Sequence, residues 1–157
     1  MCRPTINNEH AFQAQTNLIE KLGGRSEMSF LLMNLCESIK EDADLKMVFS
    51  HMSMKRLSSV MYSLIECALE NNLVDSDARL RIIMNNYAIF ELGINSRQFK
   101  KLKSHFEIAL QGSWVEEDVL EECTQRFAAL RLVFEEEGKH FEHTAKVNRV
   151  LAAQLVV

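Results

Sequence analysis

The chain has 157 residues, of which 47% are hydrophobic and 25% are charged, and its formal net charge is -4. This is the length and composition of one globular domain, and the acidic balance gives no electrostatic basis for binding nucleic acid or an anionic membrane. No apolar run is long enough to span a membrane, and the polar N-terminus resembles neither a signal peptide nor a transit peptide. Four widely spaced cysteines without a CxxC pair favour reduced thiols. These features predict a soluble intracellular protein.

Apolar residues recur three and four positions apart through most of the chain, which is the pattern of amphipathic helices. Asn17 is a candidate N-cap for a short first helix, and Gly23 and Gly24 are a candidate stop. Ser26, Ser53 and Ser96 are candidate caps of three longer helices, and Ser113 with Glu116 has the spacing of a capping box. The predicted helices are Ser26–Lys40, a short one from Asp42 to about Phe49, Ser53–Leu69, Ser96–Gln111 and Glu116–Glu137.

The rest of the chain divides less regularly. Residues 70–77 are polar and predict a loop, whereas residues 80–90 are apolar without a clear period. No stretch alternates with period two, so the fold class is all-α. We divide the chain into a polar N-terminal extension (1–16), a helical domain (17–138) and a C-terminal amphipathic helix (139–157).

Several short motifs occur in a characteristic order. They are Leu-Ile-Glu-Lys-Leu-Gly-Gly at 18–24, Phe49, Lys-Arg-Leu at 55–57, Leu-Gly-Ile at 92–94, and Phe99. In this order the chain resembles the truncated haemoglobins, the two-over-two globins. The resemblance implies a truncated-globin-like two-over-two helical fold with an extra C-terminal helix. It also implies that Phe49 matches the phenylalanine that stacks on the haem in that family.

The chain departs from the family at the haem ligand. The resemblance aligns Ile89 with the proximal histidine, and no histidine lies between His51 and His105. Cys36 aligns with the distal tyrosine, and Leu57 and Met61 align with distal-helix positions. Isoleucine has no atom that can coordinate iron. The former haem-pocket positions are therefore Cys36, Phe49, Leu57, Met61, Leu64 and Ile89.

These substitutions leave three interpretations open. The first is a non-haem globin that acts as an interaction, structural or regulatory subunit without enzymatic activity or a cofactor. The second is a haem protein that binds oxygen, nitric oxide or carbon monoxide through unusual ligation, with Tyr87, Met61, Cys36 or Met84 as the ligand. The third is a pocket that binds a small apolar ligand. The resemblance further implies that Ile89→His should give a conventional pentacoordinate haem spectrum, whether or not the unmodified chain binds haem.

Other motifs give weaker signals. His140 and His143 are spaced to share a metal, but a third ligand is not evident, so we predict no metal site. The run Lys100, Lys101 and Lys103 is typical of a solvated helix face. No nucleophile, phosphate loop or carboxylate pair indicates catalysis. In the last segment, an apolar stripe predicts contact with a partner chain or with a groove on the domain: Val147, Val150, Leu151 and Leu155.

Overall fold

A computed structural model of the chain describes residues 17–71, 73 and 75–135. Every regular element in these ranges is helical, and no strand occurs among them. The elements are α1 (Leu18–Lys21), α2 (Gly24–Glu41), α3 (Ala43–Val48), α4 (Met54–Glu70), α5 (Ser76–Asn85), α6 (Tyr87–Phe90), α7 (Ser96–Gln111) and α8 (Glu117–Ala128). After a turn at Ala129, residues 130–135 are again helical. The all-α prediction is confirmed for these residues.

Side-chain caps fix the start of several helices. Asn17 Oδ1 accepts from the N–H of Ile19, and Ser53 Oγ accepts from the N–H of Arg56, which confirms both predicted caps. Asp42 caps α3, because its Oδ1 accepts from the N–H groups of Asp44 and Leu45. The Asn95 side chain caps α7 and completes a capping box with Gln98, in place of the cap predicted at Ser96. Each cap satisfies N–H groups that have no partner inside the helix.

Two further predicted caps are wrong. Helix α2 begins at Gly24 and not at Ser26, because Gly23 and Gly24 adopt φ angles of 108° and 80° that let the chain turn directly into the helix. Ser113 does not cap α8, since its hydroxyl donates backwards to the carbonyl of Leu110 and Glu116 holds the N-cap position without a side-chain hydrogen bond.

The other predicted boundaries need smaller corrections. The predicted helix Glu116–Glu137 is interrupted at Ala129 within its described part. The irregular apolar stretch forms two short helices, α5 and α6, that meet at Asn86. The loop before α5 is shorter than predicted. Asp75 is the N-cap, since its Oδ1 accepts from the N–H of Asp77, and the helix begins at Ser76.

Four helices enclose the core. Helix α2 packs against α4 and α7, and α8 packs against the same two helices, so each of the four contacts two others. Short helices extend this frame: α1 contacts α2, α4 and α8, whereas α3 contacts α2 and α7. One hydrophobic cluster, extending from Leu18 to Phe134, fills the interior.

Aromatic contacts set the direction of the α7–α8 pair. The rings of Phe106 and Phe127 stack with centroids 4.3 Å apart, and those of Phe99 and Phe134 lie 5.2 Å apart. Phe99, near the start of α7, therefore packs against Phe134, which follows α8, whereas Phe106 packs against Phe127 within α8. The two segments are thus antiparallel. Phe134 also contacts Phe90 of α6, with centroids 4.6 Å apart.

No helix within the described ranges is long and apolar enough to cross a membrane. The polar extension 1–16 and the C-terminal stripe lie outside the described residues, as do His140 and His143. The predicted roles of these segments remain predictions.

Candidate functional site: the former haem-pocket positions

Four elements supply the six former haem-pocket positions. Cys36 lies on α2, Phe49 is the C-cap of α3, and Ile89 lies on α6. The other three positions share one face of α4 because they are spaced by four and three residues: Leu57, Met61 and Leu64. All six belong to the hydrophobic cluster of the interior.

These side chains are packed without accessible space around them. Cys36 is 1% exposed and the other five positions are 0% exposed. A gap large enough for a water molecule would expose part of its lining, and a haem-sized space would expose much more. Three pockets that are lined entirely by described residues include none of the six positions. The side chains therefore fill the volume themselves.

Lys40 holds Phe49 in place. Its Nζ donates to the carbonyls of Phe49 and Met52, at 3.0 Å and 2.6 Å. These hydrogen bonds close the turn after α3, in which the Phe49 carbonyl also accepts from the backbone N–H of Met52. The aliphatic part of the Lys40 side chain allows its charged group to reach this turn from a half-buried position on α2. Nothing in the local sequence predicts this contact, because it joins residues nine and twelve positions apart.

Asn86 positions Ile89. Its backbone carbonyl accepts from the N–H groups of Ile89 and Phe90, which turns the chain into α6 and directs Ile89 inwards. Its side-chain Nδ2 donates to the carbonyl of Ile82, while its Oδ1 is buried without a hydrogen-bond partner. Asn86 is the one buried polar residue in the described ranges. The only sequence signal was an Asn-Asn pair inside an apolar stretch.

The chemistry of Cys36 also differs from that of an iron ligand. Burial raises the pKa of its thiol to about 11, and the Lys40 ammonium offsets this only in part. The thiol is therefore protonated at neutral pH, whereas cysteine binds metals as the thiolate. Cys123 has a similarly raised pKa of about 11, again mainly because it is buried.

The other candidate ligands lie in different environments. Met61 is fully buried beside Leu57 and Leu64 on α4. Tyr87 and Met84 are 51% and 69% exposed, so the structure places them at the surface of α5 and α6. The candidate ligands are therefore not gathered around one point.

A charged region lies at the other end of α3. Oδ2 of Asp42 accepts from Nε2 of His105 at 2.7 Å, and Lys101 forms ion pairs with both Asp42 and Asp44. Arg97 lies 3.5 Å from Asp44. We call these five residues the α3–α7 charge cluster. Its carboxylates come from α3 and the residue before it, and its cations and histidine come from α7.

The cluster strongly favours the ionised form of Asp42. The hydrogen bond from His105 lowers the pKa of Asp42 to about 2, and the N–H groups of Asp44 and Leu45 and the Lys101 ammonium act in the same direction against partial burial. The predicted solvated lysine face is therefore only partly correct, because Lys101 is engaged here and Lys103 pairs with Glu107.

Two surface grooves flank α8. The first, of about 400 Å³, lies beside Leu73, Arg126 and Leu132. The second, of about 690 Å³, is the α7–α8 groove, lined by Glu107, Leu110, Gln111, Glu117, Leu120, Glu121 and Thr124. Within the described part of the chain, no group of three histidine, cysteine or acidic residues is arranged to hold a metal ion.

No family model, curated protein or solved structure matches this chain significantly. We therefore infer the function from the geometry above and from the residues that carry the resemblance.

Proposed function

We propose that this domain is a divergent two-over-two globin that does not bind haem and acts through contacts with other proteins. On this view it is an interaction, structural or regulatory subunit of a larger assembly and has no catalytic activity of its own. The observation that carries the proposal is the complete burial of the former haem-pocket positions, because a space filled by side chains has no volume left for a prosthetic group.

The arrangement of helices supports the fold part of the proposal. The four longest helices follow in the order α2, α4, α7 and α8, and each packs against two of the others. The short α3 with Phe49 at its end lies between the first two, as the resemblance to truncated haemoglobins implies. This order is the one expected for two pairs of helices packed on each other.

Ligand chemistry supports the absence of haem. Ile89 offers no donor atom, and the Cys36 thiol is protonated. Tyr87 and Met84 lie at the surface, and Met61, on α4, is buried in the hydrophobic core of the domain. The residues present do not fit a haem group without repacking.

Exposed apolar side chains support the interaction part of the proposal. Trp114, the only tryptophan of the chain, is fully exposed in the loop between α7 and α8. Phe30 and Met33 are exposed on one face of α2, away from its buried side. Aromatic residues and methionine are enriched in protein interfaces, and tryptophan is prominent among the residues that contribute most to binding.

A titration with haemin tests the proposal. We expect the purified full-length chain to bind haemin weakly, without a sharp Soret band and without one-to-one stoichiometry. A stoichiometric spectrum would refute the proposal and favour the haem-binding alternative. Substitutions of Cys36, Met61 and Tyr87 would then identify the axial ligand.

The interaction part has its own test. We expect the native protein in an extract of its own cells to elute from a sizing column well above the 18.1 kDa of one chain. The elution volume of the purified chain alone, measured on the same column, shows how much of this size comes from self-association. Elution of the native protein as a monomer would contradict a role as a subunit.

A further inference from the structure

The α7–α8 groove combines apolar and acidic surface between two antiparallel helices. Leu110 is buried and Leu120 is half-buried within it, and Ile108, on α7 one turn before the groove residue Gln111, is 60% exposed. Three glutamates also line the groove, whereas the described lining residues include no lysine, arginine or histidine. A ligand in this groove therefore meets apolar side chains and negative charge together.

The negative charge is concentrated at the end of the groove near the loop that joins α7 to α8. Glu107, towards the other end, pairs with a lysine one turn before it on α7, at 3.5 Å. Within the described residues, no cation forms an ion pair with Glu117 or Glu121. Residues 116–122 contain five carboxylates, one of which pairs with Arg126. This end of the groove therefore has a negative potential that the described part of the chain does not neutralise.

A fully exposed tryptophan lies at the same end. Trp114 belongs to the loop that joins Gln111 to Glu117, and both of these residues line the groove. The loop is anchored beside Trp114, because the hydroxyl and the backbone N–H of Ser113 both donate to the carbonyl of Leu110. An anchored loop loses little conformational freedom when a partner binds. The ring of tryptophan also attracts apolar groups and cations alike, which matches the two kinds of surface in the groove.

We propose that the α7–α8 groove binds a basic amphipathic helix of a partner protein. The apolar face of that helix covers Leu120 and packs against Trp114, while lysine or arginine residues beside this face approach Glu117 and Glu121. Glu117 and Thr124 are about 10 Å apart along α8, so the groove accommodates roughly two turns of the partner helix. The inference rests on the interaction part of the proposed function and specifies the chemistry of the partner.

The fluorescence of Trp114 tests this contact on the full-length protein, because it is the only tryptophan of the chain. A synthetic peptide of about four helical turns, with leucines on one face and lysines on the other, serves as the probe. We expect saturable one-to-one binding with a blue shift of the Trp114 emission. The same peptide with glutamate in place of lysine should not bind, since like charges repel. A lysine peptide that gives no saturable shift, or equal binding of the two peptides, would overturn the proposal.

Charge reversal locates the binding on the groove. The double variant Glu117→Lys/Glu121→Lys should weaken binding of the lysine peptide about tenfold in calorimetry, because repulsion replaces two favourable charge pairs. Glu37 and Glu41 are exposed on α2 with the same spacing, so Glu37→Lys/Glu41→Lys is a matched control for net charge. The control should weaken binding by less than about twofold, because salt screens charges far from the groove. Equal losses in the two double variants would overturn the assignment to this groove.

The peptide titration and the sizing column give independent results. If the native protein elutes in a large assembly but the lysine peptide does not bind, the assignment of the groove is overturned and the role as a subunit stands. If the peptide binds through Glu117 and Glu121 while the native protein elutes as a monomer, the role as a subunit is contradicted and the groove is supported as a site for basic helices.

Discussion

The two ends of α3 show two ways of fixing the same short helix. At its C-terminal end, Phe49 is fully buried among aliphatic side chains, in the region that the globin resemblance assigns to haem. At its N-terminal end, Asp42 is held by hydrogen bonds and charges from α7. The Phe49 ring needs only an apolar volume of suitable shape, whereas the Asp42 carboxylate needs particular partners at particular distances. Substitutions at the two ends should therefore have effects of different size and different dependence on pH.

Truncation at the apolar end should have the largest effect. Phe49→Ala should lower the free energy of unfolding by about 3–5 kcal/mol, because it removes a fully buried ring and leaves a cavity. Urea unfolding of the full-length chain measures this. Met47→Ala on the same helix is the matched control, since Met47 is 75% exposed and its loss should change stability little. Similar losses in the two variants would mean that Phe49 is not part of the core.

The charged end should make an intermediate, pH-dependent contribution. The pKa of Asp42 is lowered from 3.8 to about 2, so its ionised form stabilises the fold by about 2 kcal/mol at pH values above 3.8. This contribution is lost as the pH falls from 3.8 towards 2, because the unfolded chain takes up the proton first.

Asp42→Asn isolates this contribution, since asparagine still caps a helix but carries no charge. We expect the variant to lose about 2 kcal/mol at pH 7 and to show a flatter stability profile between pH 4 and pH 2. Unfolding measured at several pH values checks this. Asp44→Asn is the control and should change the profile less, because the Asp44 carboxylate is more exposed. An unchanged slope in Asp42→Asn would refute the assignment.

The smallest expected effect is a difference in labelling rate among the cysteine thiols, which can be measured on the unmodified protein. Cys36 and Cys123 are buried with raised pKa values, whereas Cys67 is only partly buried. A thiol-specific reagent at pH 8, followed by mass spectrometry of peptides, should label Cys67 before the other two. Rapid labelling of Cys36 would show that the region around it opens readily, which a tightly filled interior does not allow.

The features that could be predicted from the sequence are mostly local. Asn17 and Ser53 are predictable caps because a cap acts on N–H groups two or three residues away. Ser26 and Ser113 have the same signature and failed, since positive φ angles at Gly23 started α2 earlier and the Ser113 hydroxyl found a carbonyl behind it. The local sequence therefore predicts candidate N-cap residues, and the conformation of the surrounding backbone determines which of them cap a helix.

For the candidate site, the sequence predicts the apolar character of the side chains but not how they pack. The apolar character of Leu57, Met61 and Ile89 follows from the sequence, but whether they line a pocket or fill it depends on contacts between distant segments. The same limit applies to Lys40, which binds carbonyls beyond α3, and to Asp42, which pairs with His105 sixty-three positions away. A single sequence does not reveal such pairings, because nothing in local spacing selects one partner over another.

We propose that side chains fill the positions that the globin resemblance assigns to haem, so that the lack of a histidine at position 89 is not the only obstacle to haem binding. The most direct test is a haemin titration of Ile89→His, monitored by absorption. In contrast to what the resemblance alone implies, we expect that histidine alone gives no sharp one-to-one Soret spectrum, because Leu57, Met61 and Leu64 still occupy the space. A conventional stoichiometric spectrum from Ile89→His alone would contradict the account and show that the pocket opens once a ligand for iron is present.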